Sequence, residues 1–308
     1  MSGCRREKIH IAMLFYAARR SLPVEWLRLL RPHHWVKNSF LAAPLFFAPS
    51  AVTPRSIGAV ILGVICFSAL ASAVYILNDY FDRDSDRKHP TKCARPLAAG
   101  TIATPVALVI MVALLCGALV LAINLSAAFG TVCGVYVLVN LLYSLWLKHV
   151  AIIDVLLISL GFVLRIKGGA VLVGVEPSVW IIIMTGLLAA FLAFAKRRDD
   201  LVIELDSNQR GSLNGYNKAF LDTSMAVLLG ALLVGYLIWT TDQQVMARLG
   251  TDQLFLTAPF VVAGLLRYLQ LVLVEERSGS PTLLVLTDRF LIVTLVGWIA
   301  TFAVLLYA

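Results

Sequence analysis

Long apolar runs separated by short charged stretches set the pattern of this chain. Runs long enough to carry a helix across the ~30 Å hydrocarbon core of a bilayer fall near 38–53, 57–78, 104–123, 126–147, 152–174, 177–195, 219–240, 253–273 and 289–307. The pattern predicts an all-α integral membrane fold of about nine transmembrane helices. The first run is the least regular, being short and interrupted by Pro44 and Pro49. Just before it, "LPVEWLRLLR" (22–31) reads as an amphipathic helix lying at the inner interface.

Lys and Arg alternate between the connections. The segment up to Lys37 carries Arg5, Arg6, Lys8, Arg19, Arg20, Arg28, Arg31 and Lys37. The connection after the second run carries Arg83, Arg87, Lys88, Lys92 and Arg95, and that after the sixth carries Lys196, Arg197, Arg198, Arg210 and Lys218. The connections at 49–56, 124–125, 174–177 and 241–252 contribute only Arg55 and Arg248. By the positive-inside bias, the N-terminus is expected in the cytoplasm and the C-terminus outside, in a bacterial-type inner membrane. A composition 60% hydrophobic and only 14% charged, with mean hydropathy +0.86, excludes an ordinary soluble domain. The net charge of +8 therefore reads as orientation and attraction to anionic membrane lipid, and no nucleic-acid motif accompanies it.

Ile9–Ala18 is short for a secretory signal and is followed by Arg19–Arg20 instead of a small-residue cleavage site. Residues 1–25 are expected as a cytoplasmic extension and 26–308 as one transmembrane domain. The five cysteines, Cys4, Cys66, Cys93, Cys116 and Cys133, are scattered without CxxC spacing, which supports neither a zinc site nor a disulfide framework. Oligomeric state is not legible, which leaves a homo-oligomer open.

The chemistry concentrates in "NDYFDRDSDRKHPTKCARP" (Asn78–Pro96). On a helix, Asp79, Asp82 and Asp86 share one face, Asn78 borders it and Asp84 points away. Hard carboxylate oxygens at the mouth of a span suit Mg²⁺, which binds through a few carboxylates, waters and substrate phosphates. Lys88, His89, Lys92 and Arg95 follow, as donors for phosphate oxygens. Acid and base together suit a metal–diphosphate complex. A solvated loop of self-compensating charges is the competing reading, while the Gly and terminal Glu of an EF-hand are missing.

Other charges face the same side. "YSLWLKHVAIID" places Lys148, His149 and Asp154 there, and "FAKRRDDLVIEL" adds Lys196, Arg197, Arg198, Asp199 and Asp200. Arg165 and Lys167 lie well inside the fifth run, where a charge costs roughly 3 kcal/mol or more unless it meets a polar cavity or a partner. Arg165 is expected to line a cavity and Lys167 to reach a deeper polar pocket, with pairing to a neighbouring carboxylate as the structural alternative for both. Phosphate-binding cations, a metal site and an apolar bundle together favour a substrate with a phosphorylated head and a lipid tail.

"NDYFDRDSD" resembles the NDxxDxxxD signature of the UbiA superfamily of intramembrane prenyltransferases, and "RKHPTKCARPLAAG" is similar to the basic stretch that follows it there. The resemblance covers roughly 26–308 and implies a helical bundle around a central cavity with a cytoplasmic cap and a lateral opening to lipid. The aromatic prenyltransferases of that family carry a second acidic motif after the sixth span, where this chain has "KRRDDLVIELD". The departure matches one branch. "RPHHWVKN", "HPTK", "YSLWLKH", "GFVLRIKGG", "KR" at 196–197 and "LTDRFL" resemble the decaprenyl-phosphate phosphoribosyltransferases.

That resemblance implies transfer of 5-phosphoribose from phosphoribosyl pyrophosphate to a polyprenyl phosphate, as a precursor step for lipid-linked arabinose. It implies Asp79, Asp82 and Asp86 as Mg²⁺ ligands, with Asn78 orienting them. Lys37, Asn38, Lys88, Lys92 and Arg95 would contact donor phosphates. Lys148, Arg165, Lys196 and Arg197 would hold the 5-phosphate or the acceptor phosphate. Tyr143 and His149 would hydrogen-bond a phosphate or serve only packing and capping, and Asp154 would orient a cation or the ribose hydroxyls. Arg289 with Asp288 reads as a structural ion pair. Two rivals remain. An aromatic prenyltransferase of quinone biosynthesis would need Asp199, Asp200 and Glu204 as its second acidic face. A transporter of a phosphorylated lipid or metabolite would need repeat symmetry and broken helices at the midplane.

Overall fold

The structure, a computed structural model, describes residues 22–88, 92–203, 215–276 and 281–307. Most of the expected N-terminal extension, His89, Glu204 and Arg210 therefore lie outside the described residues. Within them, regular structure is entirely helical. A short helix α1 (Leu22–Leu30) precedes α2 (Pro54–Phe81), α3 (Thr104–Leu125), α4 (Ala127–Leu145), α5 (Ile153–Val173), α6 (Val179–Ile203), α7 (Lys218–Thr241), α8 (Ala258–Leu273) and α9 (Arg289–Tyr307). Eight helices are long and apolar enough to cross a membrane, α8 counting the 3-10 turn Leu254–Thr257 that leads into it. The protein is a multi-pass membrane protein.

The local causes are readable. α2 starts in a reciprocal cap, with Ser56 N donating to Thr53 Oγ1 at 3.1 Å, Thr53 N donating to Ser56 Oγ at 2.9 Å, and Pro54 in the first turn. Its apolar residues run around the whole helix because it packs on several neighbours. α6 continues past the last apolar run, through Lys196, Arg197 and Arg198. Arg197 and Arg198 are buried and paired to carboxylates, so the charges extend the helix instead of ending it. α1 packs Leu29 against Ile76, Leu97, Ile102 and Ala107, buries Glu25 where it accepts from Thr101, and leaves Leu22 and Leu27 exposed, so charged and apolar residues are not divided between a wet and a packed face.

Two cores build the bundle. One joins Phe67 and Leu70 of α2, Ala118 and Ala122 of α3, Phe129 and Tyr136 of α4, and Leu164 of α5. The other joins Phe191 and Phe194 of α6, Leu221 and Met225 of α7, Tyr268 and Leu271 of α8, and Leu291 of α9. Cys66 and Cys133 are free thiols buried in the first core, with Cys66 Sγ donating to the Ala118 carbonyl at 3.1 Å.

The first expected span is different. Arg31 turns the chain in the left-handed region (φ 53°, ψ 55°), and Pro32–Ala42 follows as a 3-10 helix of 11 residues before the short α turn Ala43–Phe46. Runs of 3-10 helix this long are uncommon. This one is stitched in place by Trp35 Nε1 donating to Ser72 Oγ (3.0 Å), Ser72 Oγ to the Leu30 carbonyl (2.8 Å), and Asn38 Nδ2 to Ser68 Oγ (2.9 Å). It lies so close to α5 that a Cβ at Gly169 would come within 2.0 Å of the Leu41 carbonyl oxygen, so glycine is required there. At about 2.0 Å rise per residue the 3-10 stretch covers about 22 Å. Arg31 meets Asp79 at one end, and the Phe46 carbonyl accepts from Tyr307 at the other (2.9 Å). In place of nine similar spans, the described residues form eight long helices and this broken segment.

Candidate active site

Between the two cores lies a cavity of about 1230 Å³. Its far end is aromatic, with Phe46, Phe47, Trp239 and Trp298 on its wall and Phe302 behind them, at ring separations such as 4.9 Å for Trp298–Phe302. Its near end is charged. Of the residues predicted from sequence, Asn78, Asp79, Asp82, Asp86, Lys37, Lys92, Arg95, Tyr143, Lys148, His149, Arg165, Lys196 and Arg197 line it. Lys88 does not, because it sits exposed in the turn beyond Asp86. Asn38 and Asp154 are fully buried one layer behind.

The acidic face is divided, not stacked on one helix. α2 ends at Phe81, and Arg83–Asp86 forms a separate turn after Asp82. Asp79 and Asp86 meet around Arg95, whose Nη1 donates to Asp86 Oδ2 at 2.7 Å and to Asp79 Oδ1 at 3.2 Å. Asp82 faces Lys148 Nζ at 2.5 Å. Arg31, which the sequence pattern does not mark as a site residue, donates to Asp79 Oδ1 at 2.6 Å and stands over the Tyr75 ring. Among the described residues no three acidic, histidine or cysteine side chains form a ready metal cage. Two buried oxygens of this patch, Asp79 Oδ2 and Asn78 Oδ1, nevertheless have no hydrogen-bond partner among the described residues. Buried oxygens are rarely left unsatisfied, and hard ones beside two further carboxylates fit a divalent cation.

Arg165 answers the question of the deep charge. Its Nε donates to Asn38 Oδ1 (2.8 Å), Nη1 to the Gly161 carbonyl (2.7 Å) and Nη2 to Tyr136 Oη (3.2 Å), while its guanidinium stands 5.0–5.7 Å from the Tyr136, Phe162 and Phe67 rings. Every acceptor is neutral, so the site keeps a whole positive charge facing the cavity. Lys167 is exposed and does not line the cavity, which corrects the expectation that it reaches inward. Asp288 is held by Arg267 Nη2 at 2.8 Å, not by Arg289, because α8 and α9 pack side by side there.

The end of α6 differs from the end of α2, where carboxylates and cations line the cavity together. Arg197 borders the cavity and its counter-ions stand behind it: Asp154 Oδ2 accepts from Nε at 2.6 Å and Asp200 Oδ2 from Nη1 at 3.0 Å, while Tyr143 Oη accepts from Nη2 at 3.2 Å. Arg198 is turned away, to Asp222 (2.6 Å) and the Val272 carbonyl (2.8 Å). Neither Asp199 nor Asp200 lines the cavity. The site can thus hold a cation-bridged anion at the end of α2 and bare anions at Arg165 and Arg197, beside a long apolar wall.

The model of the UbiA prenyltransferase family matches residues 39–291. The decaprenyl-phosphate phosphoribosyltransferase of Corynebacterium glutamicum is 33% identical over 91% of this chain and 86% of its own length. That of Mycolicibacterium smegmatis is 30% identical over 91% of this chain and 92% of its own. Among solved structures, a UbiA homolog from Archaeoglobus fulgidus bound to DMAPP and Mg²⁺ superimposes with a TM-score of 0.70 at 21% identity, covering 92% of this chain and 99% of that one.

Proposed function

The chain belongs to the UbiA prenyltransferase family, and within it we propose that this member transfers 5-phosphoribose from phosphoribosyl pyrophosphate to a decaprenyl-type polyprenyl monophosphate. Pyrophosphate leaves, and a lipid-linked phosphoribose results, the precursor of a lipid-linked arabinose donor for the cell envelope. The observation that carries this reading is the charge at the end of α6: Arg197 and Lys196 border the cavity where a second metal-holding acidic face would have to stand, and Asp200 is spent on Arg197. Among the described residues a prenyl diphosphate held by two acidic motifs finds no second one on the cavity wall, whereas two substrates bearing phosphate oxygens have cations at both ends.

Asp79, Asp82 and Asp86, with Asn78 Oδ1, would hold Mg²⁺, whose contribution when bound is to neutralise charge on the pyrophosphate. Arg95 and Lys92 supply donors to the same oxygens. Arg165, whose hydrogen-bond acceptors in the protein are all neutral, takes the phosphate of the acceptor, whose polyprenyl tail runs along the apolar wall. Lys37 lies beside it on the cavity wall. A phosphate monoester is already largely dianionic at pH 7, so no strong general base is needed. One of its oxygens forms the bond to the anomeric carbon as the carbon–oxygen bond to pyrophosphate breaks, inverting an α donor to a β product. The distribution of Lys and Arg supports a cytoplasmic site in an inner membrane, with the N-terminus inside and the C-terminus outside. The transferase unit comprises residues 26–308.

The test uses purified protein, Mg²⁺, labelled phosphoribosyl pyrophosphate and a polyprenyl monophosphate. Label passing into the organic phase, dependent on both Mg²⁺ and the lipid, is the expected result. Label that stays aqueous while the protein prenylates 4-hydroxybenzoate from a prenyl diphosphate contradicts it.

A further inference from the structure

Behind the cavity, the loop between α4 and α5 (residues 146–152) carries Lys148 and ends in strained backbone. Ile152 has φ 71° and ψ −49°. A turn of this hand is rare for any L-residue and rarer still for a β-branched one. Its amide N donates to Tyr216 Oη at 2.6 Å. The same Oη donates to Asp154 Oδ1 at 2.6 Å, and Asp154 Oδ2 accepts from Arg197 Nε at 2.6 Å. One phenol therefore joins the strained turn, the first turn of α5 and the cation of α6.

The fit around it is close. A Cβ on Gly215 would stand 2.5 Å from Ala151 Cβ, so the two backbones approach as only glycine allows. The Tyr216 ring is buried, stacks on Phe220 with centroids 6.0 Å apart, and meets Phe194 edge-on. Burial, together with the bond to Asp154, pushes the Tyr216 phenol above its ordinary value, so it stays a donor at any working pH.

We propose that Gly215–Tyr216 is a latch that holds the strained turn at Ile152 and so sets Lys148 opposite Asp82 at the mouth of the cavity. Tyr216 is then a positioning residue for the transfer, acting through Lys148 without touching substrate. The role of Lys148 as a phosphate-binding cation rests on the function proposed above. Strained backbone persists only where its surroundings over-determine it, and the two hydrogen bonds of one hydroxyl supply that here. Without them the turn relaxes, and an error of about 1 Å at a substrate-positioning group is enough to cost activity heavily.

The experiment compares full-length Tyr216→Phe, Ile152→Gly and the double variant with the wild type. Two quantities are read: amide hydrogen exchange over 147–153, and affinity for inorganic pyrophosphate in Mg²⁺. Tyr216→Phe keeps the ring and its stacking, so the expected result is faster exchange and about tenfold weaker pyrophosphate binding, the worth of one well-placed hydrogen bond. Glycine adopts the positive φ without strain, so Ile152→Gly alone stays close to wild type. The double variant recovers to within about threefold, because glycine removes the reason the turn needs a latch. Unchanged exchange in Tyr216→Phe overturns the latch, as does a double variant no better than Tyr216→Phe. Should Tyr216→Phe fail to fold, Gly215→Ala carries the same expectation through the clash with Ala151, and wild-type exchange there overturns it. Wild-type protein that binds no pyrophosphate, while exchange responds as expected, removes the phosphate role of Lys148 and leaves the latch standing.

Discussion

The ends of α2 and α6 both pair acidic with basic side chains, yet the first turns both signs to the cavity and the second only its cations. At the end of α2 the carboxylates Asp79, Asp82 and Asp86 line the cavity, and Arg31, Arg95 and Lys148 close over them from other segments. At the end of α6 Arg197 borders the cavity, and Asp154, Asp200 and Tyr143 grip it. The first end offers the cavity carboxylates and cations together and the second only cations, which decides what each can bind: hard cations with their anions at the first, bare anions at the second. The one-sidedness is what separates a phosphoribosyl donor and a phosphate acceptor from a single prenyl diphosphate.

Breaking the buried pair at α6 should have the largest effect. Arg197→Met leaves Asp154 fully buried with only Tyr216 for a partner, and loss of one side of a buried pair costs about 3–5 kcal/mol. A thermal melt in detergent should show a marked drop; a melt matching wild type would mean that Asp154 is not charged behind it. Asp82→Asn comes next. Asp82 is a third exposed and its loss spares the core, so the fold should persist while kcat/KM for transfer falls roughly 10²–10³-fold. Near-normal turnover would remove the acidic end from the chemistry. Arg165→Met should raise KM for the lipid phosphate about 10–100-fold, the worth of a charged hydrogen bond. Its melting point should move less than that of Arg197→Met, since the acceptors left behind are neutral. Smallest of all, Lys88→Ala and Lys167→Gln should change stability by less than about 0.5 kcal/mol and leave transfer unchanged, as exposed positions off the cavity do.

The eight long helices were legible because bilayer thickness imposes a run length that apolar composition displays directly. The segment from Pro32 to Phe46 was not, because its path depends on a left-handed turn at Arg31 and on hydrogen bonds from α2 serines, neither of which has a period. Asp79, Asp82 and Asp86 were visible as a spacing, but their division between Arg95 and Lys148 follows from the break after Phe81. Arg31 and Tyr136 are not legible in the sequence for a related reason. Arg31 meets Asp79 across 48 positions, and Tyr136 is one of several hydroxyls on α4 with nothing to mark it until Arg165 comes within reach. Charge at membrane depth pointed correctly to Arg165, yet gave the same signal for Lys167, since sequence alone does not tell the lumen side of α5 from the lipid side.

The contrast between the two ends is tested most directly by measuring the affinity of wild-type protein for pyrophosphate and for a short-chain prenyl monophosphate, each with Mg²⁺ and with EDTA, and repeating both with Asp82→Asn. Pyrophosphate binding should need Mg²⁺ and be lost in Asp82→Asn, while the prenyl monophosphate should bind equally well under all these conditions. A prenyl monophosphate that also requires Mg²⁺ and Asp82 would contradict the division of labour, and place both anions on one metal-dependent site.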